Sequence, residues 1–547
     1  MADNIDKALD LGGKPELEIL KKETEVVVDG QRVPAPEGLE IEMDEDGGAT
    51  LDFDPREALP EIEFYSNLAE VIDDRDLAEL SDELMGDFES DKSSRKEWED
   101  AYIKGLGLLG IKYEERTNPF RGASSATHPL LAESATQFQA TAFKELLPAG
   151  GPVRTVIMGD ETPEKYARAG RVQEFMNFQL MNKMEDYTPE YDQMLFYLPL
   201  AGSTFKKVYY DELMERPVSK FVPAEDLVVN YLSTDLDNCE RICHVINMSY
   251  NDFRKKQVSG FYKDVDILPQ EAEENDVQKK YNELQGTKPS YADKVIKLYE
   301  FHTSIDLKDF EDKDDSGEMT GIKIPYIVTV EEGSSQVVGI RRNYEKDDPK
   351  KMKKQYFVQY KFLPGLGFYG FGLIHLIGGL SRTATDILRQ LLDAGTLSNL
   401  PAGFKSRGIR MRDDADPLQP GEFRDIDAPN GDLRNSFMPL PYKEPSQTLY
   451  SLLGFVVQAG QRFASIADMQ VGDANQNAPV GTTIALLERG SRIMSAIHKR
   501  CYYSQKKEFR LLYKVFADYL PETYPYSVEG ADRTIKAEDF DSNLDVL

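Results

Sequence analysis

The clearest pattern of apolar and polar positions lies between Pro364 and Pro401. Apolar residues recur there three or four positions apart, which predicts one long helix of about 28 residues with a single apolar stripe. The stripe comprises Leu373, Leu376, Ile377, Leu380, Ala384, Ile387, Leu388, Leu391 and Leu392. The opposite, polar face is predicted to carry Arg382, Thr385, Asp386 and Arg389. A helix of this length needs packing partners along the whole stripe.

Similar periods predict helices over residues 60–109, 129–147, 163–183, 446–467 and 483–519. In the helix at 129–147 the apolar face comprises Leu131, Ala135, Phe138, Ala142 and Leu146. In the helix at 446–467 the residues predicted to face inward are Leu449, Leu452, Phe455, Val456 and Phe463. The charged stretch 249–284 is predicted to be mostly helical, with an interruption at Pro269.

Strands are predicted where apolar residues cluster between turn residues, over 198–234, 295–305, 324–333 and 354–363. Residues 402–446, rich in Pro, Gly and Asp, predict short strands and turns. The strands between 295 and 363 form either a strand-rich insert between two helices or an independent small β domain. The elements together predict an α+β fold that is mainly helical.

Length and charge limit the number of domains and the kinds of partner that the chain can have. Its 547 residues allow roughly three to four domains. The net charge is −31, because 96 Asp and Glu outnumber 65 Lys and Arg. This balance argues against a protein that grips nucleic acid by neutralising phosphates, since that needs clustered Lys and Arg. An acidic surface beside DNA is still compatible with a contact along which the DNA slides.

The first 55 residues are acidic and poor in aromatic residues, which is typical of a mobile arm. Two places in this acidic N-terminal arm could form short strands on a partner: the run Val26, Val27 and Val28, and the alternation of Leu39, Ile41 and Met43.

No catalytic or metal-binding pattern stands out. Cys239, Cys243 and His244 have a spacing that suggests zinc, but a fourth ligand and a second close pair are lacking, so buried thiols are favoured. Phosphate-loop, zinc-protease and nucleophile-elbow motifs are absent, and the GLGLLG run at 105–110 follows a helical pattern rather than a strand. We therefore expect a protein that is not an enzyme, with no catalytic residues, no metal and no cofactor. No apolar run approaches the ~18 residues of a membrane span.

Two longer strings carry a resemblance to a known family. Residues 370–410, GFGLIHLIGGLSRTATDILRQLLDAGTLSNLPAGFKSRGIR, resemble the segment that forms the second stem helix in portal (head-to-tail connector) proteins of podovirus-type tailed bacteriophages. The run RTNPFRGASSATHPLL at 116–131, with the elements around it, resembles the wing domain of the same proteins. The resemblance implies a portal-type subunit with wing, stem, clip and partial crown.

The implied domains follow the chain in order. After the arm at 1–55 they are a wing at 56–247, a first stem helix region at 248–290, a clip at 291–363, a second stem helix at 364–400, a wing return at 401–466, a channel (tunnel) loop at 467–483, and a wing helix leading to a crown at 484–547. The sequence stops where family members continue into further crown helices.

The resemblance also implies sites and partners. The channel loop would present Gly472, Asp473, Asn475, Gln476 and Asn477 to DNA. Subunit packing along the stem would use Leu373, Leu376, Leu380, Ile387, Leu388 and Leu391. Expected partners are further copies in a ring, a dodecamer by resemblance, then double-stranded DNA, the large terminase subunit, the major capsid protein and a tail adaptor, with scaffold protein as a further candidate. The expected location is the portal vertex of the virion, after assembly in the host cytoplasm, with no membrane involved.

One alternative of another class stays open at this point. Clustered Asp and Glu could hold two metal ions in an enzyme that processes nucleic acid. Such an enzyme would show turnover that depends on a divalent metal, whereas a ring would show a central hole in electron micrographs.

Overall fold

The structure is a computed structural model. It describes residues 63–112, 115–212, 214–269, 274–287, 295–313, 318–399, 440–463, 480–528, 531–540 and 544–546, with the backbone of short strands between 25 and 53 and between 403 and 439. It is mixed α/β, about 47% helix and 20% strand, which agrees with the predicted α+β class. The chain divides into a smaller unit, residues 1–66 with 305–324, and a larger one, residues 67–304 with 325–547.

The smaller unit contains two antiparallel hairpins. Strand β1 (Glu25–Val28) pairs with β2 (Gln31–Pro34), and β3 (Leu39–Met43) pairs with β4 (Ala49–Phe53). Both stretches that the sequence marks as candidate strands within the acidic arm are therefore strands, but each pairs with its own neighbour in the chain.

The helices of the larger unit are α1 (Asp74–Ser94), α2 (Lys96–Leu106), α3 (Leu130–Leu146), α4 (Pro163–Phe178), α5 (Tyr187–Ala201), α6 (Tyr250–Val258), α7 (Asp276–Gln285), α8 (Leu373–Asn399), α9 (Gln447–Phe463) and α10 (Val480–Tyr519). The prediction for α3 is confirmed, and its five predicted inward residues are fully buried. Helix α5 was missed, although Tyr187, Tyr191, Leu195 and Leu198 recur at helical spacing on its buried side, and its residues 198–201 had been predicted as strand.

The strands of the larger unit are β5 (Thr155–Ile157), β6 (Ser203–Asp211), β7 (Arg216–Val222), β8 (Leu227–Val228), β9 (Arg241–Ser249), β10 (Val295–Ile305), β11 (Ile324–Glu331), β12 (Val337–Arg342), β13 (Phe357–Lys361), β14 (Gly403–Lys405), β15 (Arg410–Met411), β16 (Ile426–Asp427), β17 (Phe437–Pro439), β18 (Thr523–Val528), β19 (Ala531–Lys536) and β20 (Leu544–Val546). Two larger sheets result, one in the order β12-β11-β10-β9-β8 and one in the order β13-β6-β7. The predicted strands at 295–305, 324–333 and 354–363 are confirmed.

Strand pairing corrects the boundary drawn at residue 291. Strand β10 pairs with β9 over nine residues, and β13 pairs with β6 over five, so strands from the segment 291–363 complete sheets begun within 56–247. The alternative interpretation, in which these strands form an independent small β domain, is therefore wrong. The spacing of apolar residues predicts a strand but not its partner, which is why the sequence placed this boundary incorrectly.

The region 248–290 is also different from the expected stem helix. It contains two short helices, α6 and α7, on either side of Pro269. Helix α6 packs beside β9, where Phe253 joins Tyr262, Leu298 and Val338 in a small core of its own. Helix α7 packs on α2, where the hydroxyl groups of Tyr281 and Tyr102 lie 2.8 Å apart.

The last described residues form strands. Strands β18 and β19 form a hairpin, and β20 pairs with β5. Asp539 accepts from Arg171 on α4, and Asp545 accepts from Arg510 on α10 at 2.8 Å, so both carboxylates fix this segment to helices. The expectation that 484–547 leads into crown helices is not met in the described residues of this segment. After Tyr519 they form strands, one of which pairs with β5.

Candidate functional site

Helix α8 is the element that positions the predicted packing site. It begins at Leu373, not at the glycines that precede it, and ends at Asn399. Its first turns lie in the main core among α2, α3 and α5. Gly105 of α2 lets the two helices approach closely, since a Cβ there would lie 2.1 Å from the side chain of Ile374.

The buried face of α8 is rotated relative to the predicted stripe. Of the six predicted packing residues, Leu373 and Ile387 are buried, whereas Leu376, Leu380, Leu388 and Leu391 are half-buried. Ser381 and Thr385 are buried instead, so the assignment of Thr385 to the exposed polar face is wrong.

The rotation has a physical cause in the loop before α3. The Thr385 hydroxyl accepts from the His128 N–H at 3.1 Å, Arg389 donates to the Ala126 carbonyl at 2.8 Å, and Asp393 accepts from the Ser124 N–H at 2.6 Å. These three side chains follow one another at intervals of four residues, so they lie on one face of α8. They satisfy backbone groups that would otherwise be buried without partners. The sequence contained this signal, but the polar residues were taken as solvated.

The second half of α8 packs on α9. Ala384 and Ile387 meet Val456 in a buried contact, and Leu380, Leu391, Leu449, Leu453 and Val457 surround it. The stripe of α8 is therefore covered in part by α9 of the same chain. The expectation that adjacent subunits supply part of the cover stays a prediction.

Helix α9 carries a second apolar face that the described residues leave uncovered. Leu452 is 44% exposed, Phe455 69% and Phe463 60%. Their spacing of three and eight places them on one side of the helix. We call these three residues the α9 outer stripe. The expectation that they face inward is wrong, because apolar residues occupy more of the helix circumference than α8 can cover.

Residues 467–479 of the predicted channel loop lie outside the described residues, and 480–483 form the start of α10. Gly472, Asp473, Asn475, Gln476 and Asn477 fall between the end of α9 at Phe463 and the start of α10 at Val480. Their prediction rests on the sequence alone.

The candidate zinc residues are packed in the core. Cys239 and Cys243 are free and buried, and burial raises the pKa of the Cys239 thiol to about 11 and that of Cys243 well above its usual value. Burial also lowers the pKa of His244. Neutral, buried thiols agree with the interpretation as core residues.

The described residues contain neither a metal-binding cluster nor a helix that could span a membrane. Among them, His, Cys, Asp and Glu form no group of three or more that could hold a metal ion. In the same part of the chain, none of the helices combines the length and apolar character needed to cross a membrane.

No protein-family model matches the chain, and its sequence finds no match among curated proteins.

Proposed function

We propose that the chain is a portal subunit, which assembles into a ring at one vertex of a bacteriophage capsid and lets double-stranded DNA pass during packaging and ejection. The proposal starts from the resemblance of residues 116–131 and 370–410 to portal proteins. One further observation supports it: these two strings contact each other in the fold, and beside them α9 presents its outer stripe to solvent. The finer assignments of wing, second stem helix, clip and channel loop belong to this proposal, without the first stem helix and with the clip strands in the same sheets as strands of the wing.

The α9 outer stripe is proposed to pack on a second copy of the chain. Fully burying a large apolar side chain contributes about 1.5–3 kcal/mol, and these three are 44%, 69% and 60% exposed, so the stripe supplies roughly 3–5 kcal/mol per interface. Association costs about 4–15 kcal/mol, so surface beside the stripe must add to the contact. A head-to-tail contact of this kind, repeated around an axis, closes into a ring. By the resemblance the ring has twelve members and binds the large terminase subunit, the major capsid protein and a tail adaptor.

Charge fits a conduit in which DNA slides. Twelve copies would carry a formal charge of 12 × −31 = −372. A wall of that sign repels phosphates and forms few long-lived ion pairs with them. Tight, salt-sensitive binding of double-stranded DNA to the isolated protein would speak against such a wall.

The interface can be tested with charge on the outer stripe. Replacing Phe455 and Phe463 together with Glu should abolish ring assembly, because each carboxylate would have to be buried without a partner. Both positions are exposed in the single chain, so the melting temperature should change little. The matched control is Gln458→Glu, which adds a carboxylate to an exposed position of the same helix and should leave assembly intact.

Light scattering and negative-stain images provide the measurement. The wild type and the Gln458→Glu variant should give rings with a central hole, and the double variant should give single chains. Wild-type protein that stays monomeric at micromolar concentration would overturn the ring, and rings formed by the double variant would remove α9 from the interface.

The channel loop gives a separate prediction. Replacing Asn475, Gln476 and Asn477 with Ala should leave the ring intact but alter DNA packaging or retention, since neutral amides can bond to phosphates briefly. Lys at the same positions should slow translocation by adding phosphate contacts. Packaged genome length and packaging rate are the readouts. Normal values in both variants would show that the loop does not contact DNA in the channel.

A further inference from the structure

A pocket of about 310 Å³ lies between α5, α7 and the turn that follows β7. Its lining combines carboxylates, Glu190, Glu225 and Asp226, with aromatic rings, Tyr197, Phe221 and Tyr281. Glu190 and Tyr197 are seven residues apart on α5 and so share one face of that helix. All of these residues belong to the larger unit of the chain.

Glu225 is the residue that marks the pocket as a binding site. It is only 6% exposed, and its Oε2 atom has no hydrogen-bond partner among the described residues. A turn closed by the Asp226 N–H on the Pro223 carbonyl, at 3.1 Å, holds the Glu225 and Asp226 pair at this place. A buried carboxylate oxygen without a partner costs free energy, and a cationic ligand would remove that cost.

Arg95 is a buried cation that contacts the backbone of Glu225, but it is not a hydrogen-bond partner for the Oε2 atom. Arg95 donates to the backbone carbonyls of Ala224, Glu225 and Leu227 and to the Tyr369 hydroxyl, and none of these bonds reaches the Glu225 carboxylate. A hydrogen bond from Tyr281, and Arg95 through space, favour the charged form of Glu225. Burial, followed by the neighbouring Asp226, nevertheless raises the pKa of Glu225 to about 7, and burial raises the pKa of Asp226 to about 6.

The aromatic rings suit an organic cation. The ring of Tyr197 lies 5.5 Å from that of Phe221 and 5.7 Å from that of Tyr281, centre to centre. Such faces attract an ammonium group and pack against the methylene groups that carry it. Lys220 also lines the pocket, but its side chain is exposed, and three carboxylates outnumber it.

We propose that this pocket binds a primary ammonium group carried on an aliphatic chain, with Glu225 as its main anchor and Tyr197 and Phe221 as its walls. The group comes either from a free alkyl diamine or from a lysine side chain of a protein partner. The volume of the pocket accommodates either. This inference does not depend on the proposed ring.

The chain has a built-in reporter for the pocket. Trp98, its single tryptophan, stacks on Tyr102 with ring centres 5.8 Å apart, and the Tyr102 hydroxyl lies 2.8 Å from that of Tyr281 in the pocket wall. Occupancy of the pocket should therefore change the fluorescence of Trp98.

The test titrates the full chain with 1,5-diaminopentane and with a blocked lysine peptide, by calorimetry and Trp98 fluorescence. The uncharged 1,5-pentanediol, of the same length, is the control ligand. Glu225→Gln keeps the shape and removes the charge, so it should weaken binding at least tenfold. Glu79→Gln, at an exposed position on α1, should bind as the wild type does. Tyr197→Leu provides a second variant, which should weaken binding by removing an aromatic wall.

Binding should strengthen between pH 6 and pH 8. Glu225 and Asp226 lose their protons across this range, and a cation binds the ionised form. The other titratable or charged groups around the pair are Tyr102, Tyr197, Tyr281, Arg95, Lys220, Lys297 and Glu190. Burial raises the pKa of the three phenols above the usual value, so they stay neutral in this range and do not change the sign.

The outcomes separate the sources of the ammonium group. Binding of the diamine alone identifies a free amine as the ligand, and binding of the lysine peptide as well identifies a side chain of a partner. Absence of binding by both at millimolar concentration, equal binding of the pentanediol, or equal binding by the Glu225→Gln variant would overturn the proposal.

Discussion

Replacing Arg95 with methionine should lower the free energy of unfolding by about 4 kcal/mol. The side chain is 2% exposed, and its guanidinium donates to the Ala224, Glu225 and Leu227 carbonyls and to the Tyr369 hydroxyl, at 2.6–2.9 Å. Each acceptor left buried without a donor costs about 1–3 kcal/mol. Methionine fills part of the space but donates nothing. Lysine should also destabilise the fold, because a compact ammonium cannot reach four acceptors in a planar fork.

Arg75 is the matched control for this substitution. Its side chain is 87% exposed and pairs only with Glu79 one turn away on α1, so Arg75→Met should change stability by no more than about 0.5 kcal/mol. Urea unfolding followed by Trp98 fluorescence measures both variants, since the indole stacks on the Tyr369 ring at 4.6 Å. Equal unfolding midpoints for the two variants would show that the Arg95 bonds do not hold the α1–α2 junction to the sheet.

The second large effect is expected at Gly370, in the turn that precedes α8. A Cβ at Gly370 would lie 2.5 Å from the Leu363 carbonyl oxygen and 2.6 Å from that of Gly202. Neither oxygen can move freely, because Gly202 accepts from the Phe362 N–H and Leu363 accepts from the Phe371 N–H, each at 3.0 Å. Gly370→Ala should therefore destabilise the protein by about 3 kcal/mol.

Glycine to alanine at Gly379, on α8 itself, should change the stability in the opposite direction. A Cβ at Gly379 would meet nothing within 4 Å, and this exposed helical position favours alanine over glycine by up to about 1 kcal/mol. Thermal unfolding of the two alanine variants should shift the melting temperature in opposite directions. A Gly370→Ala variant that melts with the wild type would mean that this turn can open without cost.

The sequence predicted elements well where one side of the element is buried and the other is polar. Helix α3 is the example, since its apolar period matches its buried face. The strands at 295–305 and 324–331 were found from apolar residues clustered between turns, although β11 is buried on both faces. Helix α5 contains Pro199, which in a sequence argues against a helix, and it was missed although its buried residues recur at helical spacing. For α8 the period located the helix but not its rotation, because hydrogen bonds of Thr385, Arg389 and Asp393 to a distant loop decide which face is buried.

The candidate site was likewise predicted from the sequence only in part. Leu373 and Ile387 were correctly predicted as packing residues, because they are apolar and regularly spaced. The exposure of Phe455 and Phe463 could not be predicted, since it depends on how much of α9 its neighbour covers. The pocket at Glu225 was missed altogether, because it is formed by residues from three elements that are distant in the chain and that carry no motif.

The pairing of β6 with β13 has a consequence for how the chain reaches its fold. Lys207 on β6 is synthesised about 150 residues before its partner Phe357 on β13, so this edge of the sheet cannot be paired until Phe357 has been made. At synthesis rates of about 5–20 residues per second, the edge stays open for roughly 8–30 s on the ribosome. Open strand edges are templates for pairing between chains. A fragment that ends at residue 247, where the sequence suggested a domain boundary, would keep the edges of β6 and β9 open permanently, and we expect it to aggregate where the full chain stays in solution.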